Sequence, residues 1–345
     1  MTAAADKKAL VALSGGVDSA VCVRLLQQQG YETAGLVLRM SDAHGGTVAD
    51  ARRAAKELDI PLYVQDMGAL FQEKVVDYFA EEYRRGRTPN PCLVCNPTVK
   101  FSALLEMADK EGFGWIATGH YAGLRREGAT ALLTRGASAA RDQSYMLARL
   151  KQDVLSRLLL PLSGLDKPAV RAEAEKLGLF CAQKPDSQEI CFIPDNDYAG
   201  YIEAHYGGCP PGEFISPEGL PCGRHGGLHR YTVGQRKKLG IALGRPVFIK
   251  RIDPVQNRIY LADAGQDLVK EIMAVGLSET FPGSLSAERA AGVKIRSRSP
   301  VVPCRLYPQD GGARVVFDEA QRLPAPGQQA VFYADDVVLG GGFIL

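Results

Sequence analysis

The feature that most constrains this chain lies within its first twenty residues, where Leu10-Val11-Ala12-Leu13 runs into Ser14-Gly15-Gly16-Val17-Asp18-Ser19. A short apolar run closed by Ser-Gly-Gly reads as a strand entering a tight turn. Val17, Val21 and Leu25 then repeat at helical spacing, and Gly30 is placed to cap the helix C-terminus. This order aims the helix N-terminus, with its unpaired N–H groups and positive dipole, at whatever sits beyond the strand. Gly15 and Gly16 let a ligand approach the backbone closely, and Ser14 and Ser19 add hydroxyl groups. The result is an anion site. Asp18 is its odd member, because a carboxylate beside a phosphate calls for a counter-charge, and Mg²⁺ is the simplest that the sequence suggests.

The loop lacks the Gly-Lys-Ser/Thr of a Walker A motif and the three-glycine dinucleotide fingerprint. It resembles the pyrophosphate-binding loop (PP-loop) of ATP pyrophosphatases, which bind ATP, adenylate a substrate and release pyrophosphate. The competing reading is an ordinary glycine turn between a strand and a helix.

Downstream the pattern alternates. Segments 33–40, 61–65 and 115–118 read as strands, and 48–58 and 71–85 as helices. Such alternation predicts an α/β domain, a doubly wound parallel sheet with ligands at the carboxyl ends of its strands. The Ser14–Ser19 loop and Gly119-His120 both fall at such ends. Further helices are expected after Arg141-Asp142-Gln143 and over 168–177. From about residue 207, Pro, Gly and short alternating runs replace helical patterns, which predicts a small β-rich domain and then a C-terminal β-barrel. The expected division is 1–206, 207–268 and 269–345. A net charge of +2 does not argue for nucleic acid in bulk, so any basic surface is local. Without a secretory h-region or a long apolar span, the expectation is a cytoplasmic protein with no membrane partner.

Eight cysteines are too few in 345 residues for a disulfide scaffold. Cys92 and Cys95 follow Thr88-Pro89-Asn90-Pro91, and Asn96-Pro97 reads as the N-cap and first position of a helix over 98–110. Cys95 is thereby expected just ahead of a helix N-terminus, where the dipole, Lys100 and nearby arginines favour thiolate. Cys191 lies in 184–194, polar and then abruptly apolar, which reads as a loop closing over a site. Rival roles for the cysteines are a structural zinc site completed by Cys209 and Cys222, a thioredoxin-like pair, or inert buried thiols. A PP-loop with two separated cysteines suggests sulfur transfer. Adenylation makes a carbonyl oxygen a leaving group, a persulfide supplies sulfur, and a second thiol releases it by forming a disulfide bond.

Over nearly its whole length the chain resembles the tRNA-specific 2-thiouridylases, which convert the wobble uridine of certain tRNAs to 2-thiouridine. The resemblance rests on the glycine loop and on Thr88-Pro89-Asn90-Pro91, Cys95-Asn96, Lys100-Phe101, Gly119-His120-Tyr121, Asp142-Gln143-Ser144-Tyr145 and Ile190-Cys191-Phe192-Ile193. It continues through Tyr231-Thr232-Val233-Gly234-Gln235-Arg236, Lys294-Ile295-Arg296 and Pro326-Gly327-Gln328. The resemblance implies ATP held by Ala12, Leu13, Ser14, Gly15, Gly16, Val17, Asp18, Ser19 and Gly119, with Leu38 near the adenine and Mg²⁺ assisted by Asp18. It implies Cys95 as nucleophile, Cys191 as persulfide carrier, and Asn90, Pro91 and Cys92 on the target base. It implies tRNA contacts from His120, Arg141, Asp142, Gln143, Arg296, Ser297 and Gln328. The implied partners are the tRNA anticodon stem-loop and a sulfur-donor protein or sulfide.

Many members have Asp where this chain has Cys92, and the segment 41–47 is short compared with many relatives. With Cys92 present, Cys92, Cys95 and Cys191 are also a candidate ligand set for an iron–sulfur cluster, and the sequence leaves both sulfur chemistries open. Two local basic surfaces are expected to meet RNA. One comprises Arg224, His225, His229, Arg230, Arg236, Lys237 and Lys238 around Tyr231. The other is a stripe of Lys294, Arg296 and Arg298, which would share one face of a strand. The rival functions are a PP-loop amidotransferase or ligase using ammonia, and a non-catalytic zinc-stapled RNA-binding protein.

Overall fold

The computed structural model describes residues 7–41, 45–185, 190–193 and 195–345. Residues 42–44 of the short segment, and 186–189 and 194 of the expected closing loop, lie outside the described residues.

Strands β1 (Lys8–Ala12), β2 (Glu32–Arg39), β3 (Leu62–Asp66) and β4 (Trp115–Ala117) are followed by a hairpin, β5 (Ala122–Glu127) and β6 (Thr130–Arg135), and by β7 (Leu158–Leu159). Five of these form a parallel sheet in the order β3-β2-β1-β4-β7. Successive residues of β1 point to opposite faces, and both faces are covered. Leu10 joins Leu36, Phe101, Leu104, Ile116 and Tyr145 on one side. Ala9 and Val11 join Val21, Ala54 and Val170 on the other. This is why the strands read as unbroken apolar runs.

The helices are α1 (Val17–Gln28), α2 (Gly45–Glu57), α3 over 68–84, α4 over 91–111, α5 (Ser144–Leu147), α6 (Gln152–Leu155), α7 (Lys167–Lys176) and α8 (Tyr198–Tyr206). Helix α4 corrects the expected start at residue 98. Asn90 is the N-cap, extended at φ −110° and accepting a bond from Cys92 N at 3.2 Å, and Pro91 takes the first helical position. Asn96 is inside the helix at φ −56°, ψ −60°. Pro97 has no N–H for the regular ladder, and a π turn at Asn96–Lys100 absorbs the defect. The sequence offers two Asn-Pro pairs, and the earlier one starts the helix.

The middle region forms a sheet of β8 (Gly212–Ile215), β9 (Pro221–His225), β10 (Val247–Asp253) and β11 (Arg258–Asp263), ordered β10-β11-β8-β9. The last six strands are β12 (Leu268–Glu279), β13 (Arg289–Lys294), β14 (Val302–Gln309), β15 (Gly312–Arg322), β16 (Gln329–Ala334) and β17 (Val337–Ile344). They run β12-β15-β14-β13-β16-β17, and β12 pairs again with β17, so the barrel is closed. One connection was not expected. Hairpin strand β6 pairs with β17 at Thr134 and Val337, so the N-terminal region extends the barrel sheet. Ala122, Leu133, Val331, Tyr333 and Val338 share one core across that junction.

Candidate active site

Residues Ala12 to Ser19 run from the end of β1 into α1, as expected. Gly15 sits at φ +74°, and a Cβ there would come within 2.5 Å of Asp50 in α2, so only glycine fits. Ser19 Oγ donates to Gly16 O at 2.9 Å and accepts from Ser14 N at 3.3 Å, which fixes the turn. Leu38 lies two residues past Leu36, the β2 partner of Ala12, toward the same carboxyl edge. Gly119 follows β4, and a Cβ there would lie 2.8 Å from the Asp18 carbonyl carbon, so this glycine lets the segment after β4 pack on the start of α1.

The premise for Mg²⁺ at Asp18 changes. Its counter-charge is a lysine 149 residues away: Lys167 Nζ lies 2.9 and 2.8 Å from the two Asp18 oxygens. Tyr121 donates its hydroxyl to Oδ1 at 2.6 Å. Lys167 is 7% exposed and stands at the first position of α7, after the Asp166 N-cap. With both oxygens engaged, Asp18 does not fit a divalent-cation ligand in this conformation. Sequence reasoning missed Lys167 because nothing local to Asp166-Lys167-Pro168 signals a partner so far away.

The cysteines gather around one cation. Cys92 is exposed, Cys95 is buried one helical turn later, and Cys191 is exposed. Burial pushes the Cys95 thiol up to about 12, opposed by the Lys100 ammonium and reinforced by Cys92 and Cys191. This corrects the expected thiolate, since Cys95 lies in the second turn of α4 rather than before its N-terminus. Lys100 is half-buried. Burial works against its charge, and the three thiols outweigh that and hold its pKa up. Among the described residues no three His, Cys, Asp or Glu side chains converge to hold a metal ion. Cys92, Cys95 and Cys191 are grouped by their shared field with Lys100 and not by convergence on a single ion. Nor does a zinc site form: the Cys209 and Cys222 thiols lie against the Arg84 and Phe214 carbonyls. All eight cysteines are free, so no disulfide is present.

His120 links the cysteines to the glycine loop. Its Nδ1 lies 2.8 Å from Thr118 Oγ1, and its ring stacks on Phe101, the residue after Lys100. Burial, with Lys100 adding to it, lowers its pKa to about 3, so the ring is neutral. The thiols and His120 thus both lie in the field of Lys100, and Gly119, the neighbour of His120, packs on the start of α1 at Asp18.

The segment ahead of α4 is gripped by both other domains. Thr88 N donates to Pro326 O and Gln328 Nε2 donates to Thr88 O, each at 2.7 Å. Thr88 Oγ1 lies 3.2 Å from Thr232 Oγ1 of the middle domain. A Cβ on Gly86 would strike Ile252, and one on Gly327, at φ +89°, would lie 3.1 Å from Thr88 N. Asn90 also lies against Met146, whose carbonyl accepts from Asn96 Nδ2 at 2.8 Å.

The other expected contacts divide. Arg141 and Arg296 are exposed, and Ser297 is half-buried in the turn after β13. Asp142 accepts from Gly136 N, Ser144 N and Ser144 Oγ and pairs with Lys294 at 3.6 Å. Gln143 Oε1 accepts from Tyr121 N at 2.9 Å. The basic stripe is corrected: β13 stops at Lys294, which is buried against Asp142, and the chain turns before Arg296. The cluster around Tyr231 is corrected too. His225 and His229 are buried, with His225 donating to the Asn257 carbonyl and His229 to Glu203 at 2.7 Å. Arg230 and Arg236 are exposed and pair with Glu203 and Asp267, and Arg224, Lys237 and Lys238 are exposed beside them.

Residues 7–195 match the family model described as the tRNA methyl transferase HUP domain. Residues 200–263 match the tRNA methyl transferase PRC-barrel domain, and 272–344 the aminomethyltransferase beta-barrel domain. The tRNA-specific 2-thiouridylase MnmA of Acetivibrio thermocellus is 42% identical over 355 residues, covering 98% of this chain and 99% of that protein. Its namesake in Clostridioides difficile is 39% identical, covering 98% of each. That of Carboxydothermus hydrogenoformans is 42% identical, covering 98% of this chain and 97% of its own. No helix among the described residues is long and apolar enough to cross a membrane. With this identity over 98% of its length, the chain belongs to the tRNA-specific 2-thiouridylase family.

Proposed function

We propose that this protein is an ATP-dependent tRNA-uridine 2-sulfurtransferase that adenylates the wobble uridine at O2 and replaces that oxygen with sulfur. The family relationship supports the activity, and one observation supports the assignment of residues. The thiols of Cys92, Cys95 and Cys191 and the His120 ring share the field of Lys100, and Gly119 packs on Asp18 of the glycine loop, which supports placing the sulfur carrier beside the activated base. Ala12 to Ser19 hold the ATP phosphates, with Gly119 beside them and Leu38 toward the adenine. Uridine O2 attacks the α-phosphorus, pyrophosphate leaves, and the C2–O bond becomes the one that breaks when sulfur arrives.

Asn90, Pro91 and Cys92 face the extruded base, whose removal from the stack costs a few kcal/mol. His120, Arg141, Asp142, Gln143, Arg296, Ser297 and Gln328 line the tRNA side. For Asp142, Gln143 and Gln328 the role is to hold the backbone that touches RNA. Sulfur reaches C2 from a persulfide on Cys191, whose outer sulfur is handed over by the persulfide of a sulfur-donor protein. That sulfur attacks C2 as AMP leaves, and the Cys95 thiolate then attacks Cys191 Sγ, which frees the 2-thiouridine sulfur and leaves a Cys95–Cys191 disulfide for an external thiol to reduce. Cys95 must lose its proton for that step, and Lys100 is the group that stabilises the anion. Mg²⁺ arrives with the nucleotide. The working division is 1–206 for catalysis, 207–268 and 269–345 for tRNA, in a cytoplasmic protein.

The test is thiolation of unmodified tRNA with ATP, a persulfide-bearing sulfur-donor protein and a thiol reductant, read as 2-thiouridine by mass spectrometry and as released pyrophosphate. ATP-dependent product abolished by Cys95→Ser and Cys191→Ser supports the reading. Full activity of Cys95→Ser refutes it in favour of ammonia chemistry. Iron and acid-labile sulfide in an anaerobic preparation, with activity lost on chelation, refutes the persulfide route.

A further inference from the structure

A second ion pair lies beside the glycine loop, and the proposed mechanism does not use it. Lys184 Nζ pairs with Asp50 Oδ2. Asp50 is in α2, and its backbone and Cβ are the atoms that a side chain on Gly15 would strike. Lys184 is held from behind. Its N–H donates to Cys181 O at 3.1 Å, and Arg171 donates to Ala182 O at 2.6 Å. Phe180 lies under Arg53 of α2, and its N–H bonds Glu57 Oε2 at 3.1 Å. The Cys181 thiol, raised by burial, is in the field of Glu57, Lys184 and Asp18 together.

Two lysines therefore flank the loop, each neutralised by a carboxylate, and the two pairs differ in freedom. Lys167 is buried and bonded to both oxygens of Asp18. The side chains of Lys184 and Asp50 are 40% and 32% exposed and make one contact. Such a pair adds little stability and exchanges partners readily. A carboxylate against an anion loop repels a polyphosphate unless something covers it, and Lys184 covers this one.

We propose that Lys184 is a phosphate-binding residue of the nucleotide site, held on Asp50 in the empty protein and transferred to the phosphate chain when ATP enters. This rests on the reading of Ala12 to Ser19 as an ATP site. The two partners then have opposite signs. Losing Lys184 removes a phosphate contact, whereas losing the Asp50 charge removes a competitor for it.

The experiment is calorimetric titration of the full chain with MgATP and, separately, with adenosine. Lys184→Met is expected to weaken MgATP by about tenfold to a hundredfold, the worth of one charge-assisted hydrogen bond, with adenosine within about twofold. Asp50→Asn is expected to tighten MgATP, and Lys184→Arg to restore most of the affinity. Lys184→Met binding MgATP as wild type does would overturn the proposal. So would Asp50→Asn weakening MgATP as much as Lys184→Met, since the pair would then be a brace. Wild type that binds no MgATP overturns the ATP reading of the loop and this proposal with it.

Discussion

The pairing of Lys167 with Asp18 makes a quantitative prediction about the α/β domain. Lys167→Met leaves the Asp18 carboxylate, one-third exposed, with only the Tyr121 hydroxyl as a charge-stabilising partner. Breaking a buried pair costs about 3–5 kcal/mol, and the exposure of Asp18 reduces this to about 2 kcal/mol. Asp18→Asn takes from the Lys167 ammonium, at 7% exposure, the carboxylate that it bonds through both oxygens, and is expected to cost about the same. With both changes the mutual contact is removed from both sides at once, so the double variant should lie well short of the sum, with a coupling of at least about 1 kcal/mol. The chain's one tryptophan, Trp115, opens β4, next to β1 in the parallel sheet. Urea titrations followed by its fluorescence therefore report the loss of the parallel sheet that carries Asp18. Additivity within about 0.5 kcal/mol would refute the argument, because it would mean that solvent already screens the pair.

Three further outcomes follow from the same geometry. Alkylation of Cys95, read by peptide mass spectrometry, should quicken about tenfold per pH unit from 7 upward, because its thiol stays protonated until about 12, and Lys100→Met should slow it; a plateau near pH 8 would contradict the burial argument. Lys238 holds φ +59°, and Lys238→Gly should stabilise the middle domain by about 0.5–1 kcal/mol, read as slower amide exchange in β10 and β11. Gly327→Ala should crowd Thr88 N and remove its exchange protection, while Gln328→Ala, losing one bond, should cost about 1 kcal/mol or less.

What could be read from sequence divides along physical lines. The parallel sheet was legible because Leu10, Val11, Leu36 and Ile116 are buried on both faces and so form unbroken apolar runs. The glycine loop was legible because Gly15 has no room for a side chain. The start of α4 was misread because Asn90-Pro91 and Asn96-Pro97 carry the same local signal, and only packing on Met146 and a π turn decide between them. The Lys294 stripe failed because alternation does not say where a strand stops. His225 and His229 look like surface bases in sequence, yet each ring is buried and has a partner, Asn257 or Glu203, from another element. Lys167 and Lys184 were invisible as site residues because their meaning depends on carboxylates 149 and 134 residues away.

The hairpin that carries β6 onto β17 has a mechanical consequence. A hinge between two bodies needs a connection that bends without breaking bonds, and here the bodies are stitched along a sheet and share a core at Leu133, Val331 and Tyr333. The span from the barrel surface to the cysteines is therefore set before any RNA arrives, like the gap of a locked caliper. Under the function proposed above, any adjustment to that gap falls to the nucleic acid and not to the protein.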